Sequence, residues 1–521
     1  MIVRRIGSAA LGCAALLACV AVLASACSEK GPGQVLASGS ARALVTAPGS
    51  RAVAFLLQAS HPDDSGVPQD LYLGDLWLAR EGEAARRIGG AVPSIEGAVA
   101  FDRQGGAIAY LAGYAFRAGE GELWVARPAE APRRLGVKVA AFAWSPKGGR
   151  IAFVSAGVLH VARAAGGPEE APSLAGVHSF VWSPDGARLA ARGPGAAGGR
   201  LVLASADGGR PVEVAEASSD FVFAPDGALG MLGPSPKKGG DRPLTLIEPG
   251  TLQHRALGRA TAFSFSPSGS ELALLSTDKH PGESFGDLSR LSRAPGSAPQ
   301  SLGSKVSDFR WSTAGDLICL ARYDLRARAG TLLVAPPGGG APRELSARVQ
   351  SFSVQGRRLF YMVQEPQKTD FKVELWTADL AAPPGSAQAA SRKVDEGVYG
   401  YQLSPDGRAL YWKSRCIALR SCALFRGPAD GSGAPVQLAA SAAGFDLSAD
   451  GSRLLVAQVH AGSAHTVDLK VVDARGPAKD PPGPPIATEV EPGARFLDEG
   501  GRHLVAVLSG RRAAVVRIDV P

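Results

Sequence analysis

The sequence predicts an all-β protein, and three observations lead there. A turn pattern, aromatic-x-aromatic-Ser-Pro-Asp-Gly, recurs along the 521 residues. Alternating apolar runs flank its copies, and stretches of helical period bounded by caps are essentially absent after Leu23. The clearest copy is Phe180-Val181-Trp182-Ser183-Pro184-Asp185-Gly186, followed by an apolar run to Arg192. Pro presets φ at the second turn position, the Asp carboxylate accepts backbone N–H groups, and Gly occupies the φ > 0 site that reverses the chain. The unit is a hairpin, and one hairpin cannot bury its apolar face alone. A series of them implies an array that stacks or closes on itself.

Composition agrees. Hydrophobic residues make up 45% of the chain, enough for a globular fold, and the 65 Gly and 38 Pro show no collagen-like period, so they read as turn residues. The formal charge is +8, and removal of Arg4 and Arg5 with a leader would lower it to +6. The basic pairs Arg86-Arg87, Arg133-Arg134 and Arg357-Arg358 are spread along the chain, which points to solvated faces and no nucleic-acid partner.

The first segment reads as an address. Met1 to Arg5 carries two positive charges, Ile6 to Leu23 is small and apolar, and Leu23-Ala24-Ser25-Ala26-Cys27 follows. Residues 1–26 are expected to be a signal peptide. The small residues before Cys27 resemble a bacterial lipobox, with Leu23 one position earlier than usual, and the resemblance implies lipidation of Cys27. Ser28 in place of Asp favours the outer membrane, facing the periplasm. Residues 27–40 are expected to form a flexible tether.

With the turn glycine as a ruler, copies fall on Gly49, Gly105, Gly148, Gly186, Gly227, Gly269, Gly315, Gly356, Gly407, Gly451 and Gly501, a mean spacing of about 45 residues. Most contain a second strand such as Arg150-Ile151-Ala152-Phe153-Val154, a third such as Glu122-Leu123-Trp124-Val125-Ala126, and a short fourth segment. Four antiparallel strands at this spacing make one propeller blade. Eleven blades exceed the usual ring, so two propellers are expected, residues 41–303 and 304–521, with one large ring or a nested arrangement as alternatives. The last copy lacks a fourth strand, which Gln34 to Ala37 can supply as a clasp between the termini.

The chain resembles the TolB-like, WD-type propeller repeats, whose signature is the aromatic-x-Trp-Ser-Pro-Asp-Gly turn followed by Leu/Ile-Ala-Phe. Phe142-Ala143-Trp144-Ser145-Pro146-Lys147-Gly148, Phe263 to Gly269 and Tyr401 to Gly407 carry it best. The resemblance implies the fold and little about activity, since propellers host enzymes, receptors and scaffolds. TolB's additional N-terminal α/β domain has no room here, so a role in the Tol system does not carry over.

Candidate chemistry is sparse. Gly282-Glu283-Ser284-Phe285-Gly286 matches a nucleophile elbow, but the strand, helix and downstream α/β domain that such a turn needs are missing from the pattern. The histidines His61, His160, His178, His254, His280, His460, His465 and His503 are scattered, and His61-Pro62-Asp63-Asp64 reads as a polar loop. No catalytic, cofactor-binding or metal-binding residue is assigned, and no cofactor is expected. Cys416 and Cys422 flank a short loop between two strands, where a disulfide is expected in an oxidising compartment, while Cys319 reads as a buried apolar residue. Trp144, Trp182 and Trp311 read as packing between blades. Trp412 breaks the pattern and is expected on the opposite face, where it is exposed.

The expectation is a membrane-tethered, non-enzymatic scaffold whose propeller faces and loops bind a protein of the cell envelope. Two alternatives stand beside it. One is a lyase or hydrolase acting on envelope or extracellular polysaccharide, and the other is a glycan-binding protein.

Overall fold

The computed structural model describes residues 33–47, 51–62, 66–165, 174–193, 199–208, 210–216, 220–234, 240–280, 282–364, 373–382, 391–418, 421–463, 465–476, 484–510 and 513–520. The signal segment, Cys27, Asp63, Asp64 and Pro481 lie outside them. Among the described residues every regular element is a β-strand, and no helix is long and apolar enough to cross a membrane.

The motif copies form the sheets as their chemistry dictates. In the best copy, Ser179–Trp182 pairs with Arg188–Gly193, then Arg200–Ser205, then Val212–Glu216, all antiparallel. The turn between the first two strands is wired by its own side chains. The Ser183 hydroxyl donates to Asp185 Oδ1 at 2.5 Å, while Ser183 Oγ accepts the Arg188 N–H at 2.9 Å and Asp185 Oδ1 accepts the Ala187 N–H at 3.0 Å. Ser404 and Asp406 repeat this arrangement, as do Ser448 and Asp450. The serine is buried in each of these turns, so its hydrogen bonds are satisfied internally. The Ser-Pro-Asp-Gly motif is a hairpin lock.

Five sheets have four strands, two have seven and one has eight. Together they make a propeller-like ring of small antiparallel sheets. In the eight-stranded sheet Gln34–Ser38 pairs with Ala514–Asp519, joining Gln34 to Arg517 and Ser38 to Ala514. Residues expected in the tether are therefore part of the ring, and the clasp lies across the chain's two ends.

The core is a series of apolar layers between successive groups of about four strands, some within one large sheet and some between sheets. Leu56, Leu76 and Leu78 meet Ile108 and Tyr110; Ala107, Leu111 and Leu123 meet Ile151 and Phe153; Leu159 and Val161 meet Leu189 and Ala191. The series continues to Leu455 and Leu469 against Leu504 and Val516, and a layer of Leu36, Phe55 and Leu57 with Val505, Val507 and Val515 closes it. Each fully buried Leu or Phe contributes about 1.5–3 kcal/mol relative to exposure. The expected boundary near residue 304 falls inside the strand Gln300–Val306, and one layer crosses it, from Leu288, Leu302 and Val306 to Leu317, Cys319 and Leu333. The Cys319 thiol sits in that layer, where burial pushes its pKa up to about 12.

Trp412 corrects the sequence reading. It is only 2% exposed, stacks on Phe425 and donates its indole N–H to Asp395 Oδ2 at 2.8 Å. Its register places it opposite Phe425 on the neighbouring strand, so it faces a layer between sheets rather than solvent.

Candidate functional site

Antiparallel order gives every four-stranded unit two ends. The Ser-Pro-Asp-Gly turns and the connections between third and fourth strands lie at one, the turn end. The connections between second and third strands, with those leading to the next unit, lie at the other, the loop end.

The turn end is occupied by contacts between neighbouring units. Arg86 donates to the Arg127 and Glu130 carbonyls of the next sheet at 3.0 and 3.1 Å, while Arg87 pairs with Asp75 on its own sheet at 2.8 Å. Arg133 donates to the Arg163 carbonyl at 3.0 Å and Arg134 pairs with Glu122 at 2.9 Å. Such a basic pair holds one four-stranded unit to the next with one residue and pairs with a carboxylate of the neighbouring strand with the other. A wide depression of about 710 Å³ near Ser268 and His254 is similarly self-satisfied, since Arg293 pairs with Asp226 and Glu248 at 2.7 and 3.2 Å.

The loop end differs. Of the nine exposed large hydrophobic residues among those described, six lie there: Ile95, Val137, Leu325, Tyr399, Ile417 and Val459. Ile417 is 95% exposed and follows Cys416, which is disulfide-bonded to Cys422 across the hairpin. Tyr399 is 54% exposed and is held by its N–H to the Lys413 carbonyl at 3.0 Å. Lys413 Nζ in turn donates to the Ala443 carbonyl at 2.6 Å, and burial lowers its pKa.

A cleft opens at the same end, where the repeat is weakest. The first strand of the last unit is only Arg495–Phe496, whereas the unit before it has Gly444–Leu447. The shortened strand leaves a cavity of about 430 Å³ lined by Phe445, Leu455, Val467, Leu469, His465 and Thr466. A second cavity of about 330 Å³ continues toward the turn end past Arg51 and Asp498. Asp446 and Arg495 line both. The Leu447 N–H donates to Asp446 Oδ1 at 3.0 Å, and Gln402 Nε2 approaches the same oxygen at 3.4 Å. The Thr466 hydroxyl is buried at the cavity wall with no hydrogen-bond partner among the described residues.

The other candidates fall apart in space. Ser284 is exposed in the loop before the strand Gly286–Ser292, with no strand leading into it and no helix after it. His280 beside it is held by Asp287 at 3.0 Å. His61 closes its own loop onto the Pro68 carbonyl at 3.1 Å. His460 pairs with Asp468 at 2.7 Å and His503 with Asp498 at 3.2 Å. Sequence reasoning missed Asp446, Arg495 and Thr466. The only signal was negative: the last copy, around Arg495 and Gly501, is among those that depart most from the motif.

No family model matches the chain, and no curated protein matches it. Among solved structures it is similar to a eukaryotic initiation factor at 12% identity and a TM-score of 0.40, covering 71% of this chain and 96% of that one. It is also similar to the tricorn protease at 12% identity and a TM-score of 0.30, covering 80% and 46%, and to an acylaminoacyl peptidase of Pyrococcus horikoshii at 12% and 0.30, covering 60% and 56%.

Proposed function

We propose that this protein is a lipid-tethered scaffold of the bacterial cell envelope, one ring of eleven TolB-like blades that binds a protein partner at its loop end. The observation that carries the reading is the concentration of exposed apolar side chains at that end, against a turn end closed by hydrogen bonds and ion pairs. In the blade count, each seven-stranded sheet is two blades sharing one long strand. Arg133–Trp144 pairs with Glu120–Ala126 through its first half and with Arg150–Ser155 through its second, and Arg343–Gln355 repeats the arrangement. The eight-stranded sheet is two blades meeting at Val490 and Leu508. The apolar layers run from each blade to the next and from the last to the first, which supports one ring over two.

The clasp gives this reading an orientation. Gln34–Ser38 runs from the turn end to the loop end, so the chain enters the ring from the turn end. Between Cys27 and Gln34 lie six residues, Ser28 to Gly33, which span about 20 Å at most. A lipid on Cys27 would hold the turn end against the outer membrane and present the loop end to the periplasm.

Two measurements test the proposal. Cys27→Ala is expected to release the protein from membranes into the soluble fraction, and retention would overturn the tether. Crosslinking in intact cells is expected to capture an envelope protein with the wild type and to lose it in Leu325→Asp/Tyr399→Asp, while Lys147→Glu at the turn end retains it. Loss in both variants, or in neither, would overturn the loop-end surface.

A further inference from the structure

We infer that the cleft between Gly444–Leu447 and Arg495–Phe496 is a binding site for a free apolar α-amino acid in its zwitterionic form. This goes beyond the scaffold reading and does not depend on the tether.

Three features set the ligand's chemistry. Phe445, Leu455, Val467 and Leu469 give the larger cavity apolar walls, and its 430 Å³ is within the range of small-molecule sites. Arg495 and Asp446 line both cavities without forming an ion pair with each other, and the Arg495 guanidinium has no ion-pair or hydrogen-bond partner among the described residues. Asp446 uses one carboxylate oxygen for Leu447 and Gln402. The Thr466 hydroxyl is a buried group in need of a partner, able both to donate and to accept. An opposite pair of unspent charges on the wall of an apolar pocket is satisfied by a molecule carrying the complementary pair close together on an apolar body.

The alternatives each leave something unpaired. A neutral apolar molecule leaves both charges without partners. A simple carboxylate answers Arg495 but brings a like charge to Asp446, and a simple amine does the reverse. A peptide separates its ammonium and carboxylate by at least one further residue. In an α-amino acid the two charges sit on neighbouring atoms of one carbon. Its carboxylate accepts from the forked guanidinium of Arg495, its ammonium donates to Asp446, and its side chain enters the apolar cavity. The cleft lies where the first strand of the last unit has only two residues, against three or four in units such as Val99–Phe101, Phe221–Phe223 and Gly444–Leu447.

The test is calorimetric titration of the detergent-solubilised full chain with L-leucine and L-phenylalanine. 4-Methylpentanoate serves as leucine without its amine and 3-methylbutylamine as leucine without its carboxylate. Saturable binding of both amino acids is expected, with each single-charge analogue at least tenfold weaker. Arg495→Gln and Asp446→Asn are each expected to weaken leucine binding tenfold or more without moving the thermal midpoint, since Arg495 is exposed and Asn keeps an acceptor for the Leu447 N–H. Cys27→Ala is expected to bind leucine as the wild type does. Absence of binding at 10 mM amino acid, equal binding of either analogue, or unchanged affinity in both variants would overturn the inference.

Discussion

The indole N–H of Trp182 donates to the main-chain carbonyl of Ala143 at 3.1 Å, crossing to the strand Arg133–Trp144 of the sheet before it. Trp144 makes the same step back to the Ala100 carbonyl at 3.0 Å, and Trp311 to Ser264 Oγ at 3.0 Å. The repeated tryptophan is therefore a joint between successive units, with a polar tip at one end and an apolar body in the layer. Trp182→Phe keeps the packing and removes the bond, for an expected loss of about 1 kcal/mol. Trp182→Ala also opens a cavity, and because the ring is half-buried the expected loss is roughly 3 kcal/mol, the low end for aromatic truncation. Urea midpoints of the two variants check the order.

The turn glycines differ in what surrounds them. Gly186 has φ 65°, and a Cβ there would lie 2.5 Å from Ser145 Oγ of the preceding turn. Gly148 has φ 75° but open space around it. Gly148→Ala is expected to cost about 1 kcal/mol, the penalty of the left-handed region alone. Gly186→Ala is expected to cost clearly more, because the buried Ser145 must move as well. Equal urea midpoints for the two variants would show that the turns do not nest.

The locked turns predict loss of stability in acid. The Ser183 hydroxyl and then the Ala187 amide hold the Asp185 carboxyl below its ordinary value, and Ser404 and Arg408 do the same for Asp406. A carboxyl depressed in the folded state binds its proton more readily when unfolded. Its stabilising effect is full above the unfolded value of about 3.9 and is lost as pH falls through the lower folded value. Melting temperature is expected to be flat in this respect down to about pH 4.5 and to fall below pH 4. Ser183→Ala and Ser404→Ala together should flatten that fall.

Reduction of the Cys416–Cys422 bond is expected to have a small and local effect. The loop it closes is short, so the chain-entropy account gives about 2 kcal/mol or less. Hydrogen exchange should rise in Ala409–Ala418 and Ser421–Pro428 and remain unchanged at the clasp.

Removal of the clasp should act at long range. Deleting residues 33–39 takes Leu36 out of the closing layer and leaves Ala514–Asp519 as an open edge. The deletion is expected to lower the urea midpoint and to produce oligomers in size-exclusion chromatography, because an unpaired strand edge templates pairing with another chain. A monomer with an unchanged midpoint would mean that the ring does not need its closure.

The sequence by itself determined the repeating unit. Turn chemistry is local: Ser183, Pro184, Asp185 and Gly186 fix one another within a few residues, so the hairpin is legible wherever they occur together. The alternation in Arg150 to Val154 and the third strand at Glu122 to Ala126 are local in the same sense, and so is the pairing of Cys416 with Cys422. What only the tertiary structure decided depends on how one copy meets the next. The register opposite Phe425 buried Trp412, and two basic pairs became links between successive units because the neighbouring carbonyls of Arg127 and Arg163 lie within reach. One apolar layer, from Leu302 to Leu333, runs across residue 304, where the copy count had suggested a boundary. Asp446, Arg495 and Thr466 carry no motif and are far apart in the chain relative to any turn. They meet because the truncated strand Arg495–Phe496 leaves space between two sheets, and a space is a property of neighbours that no single repeat contains.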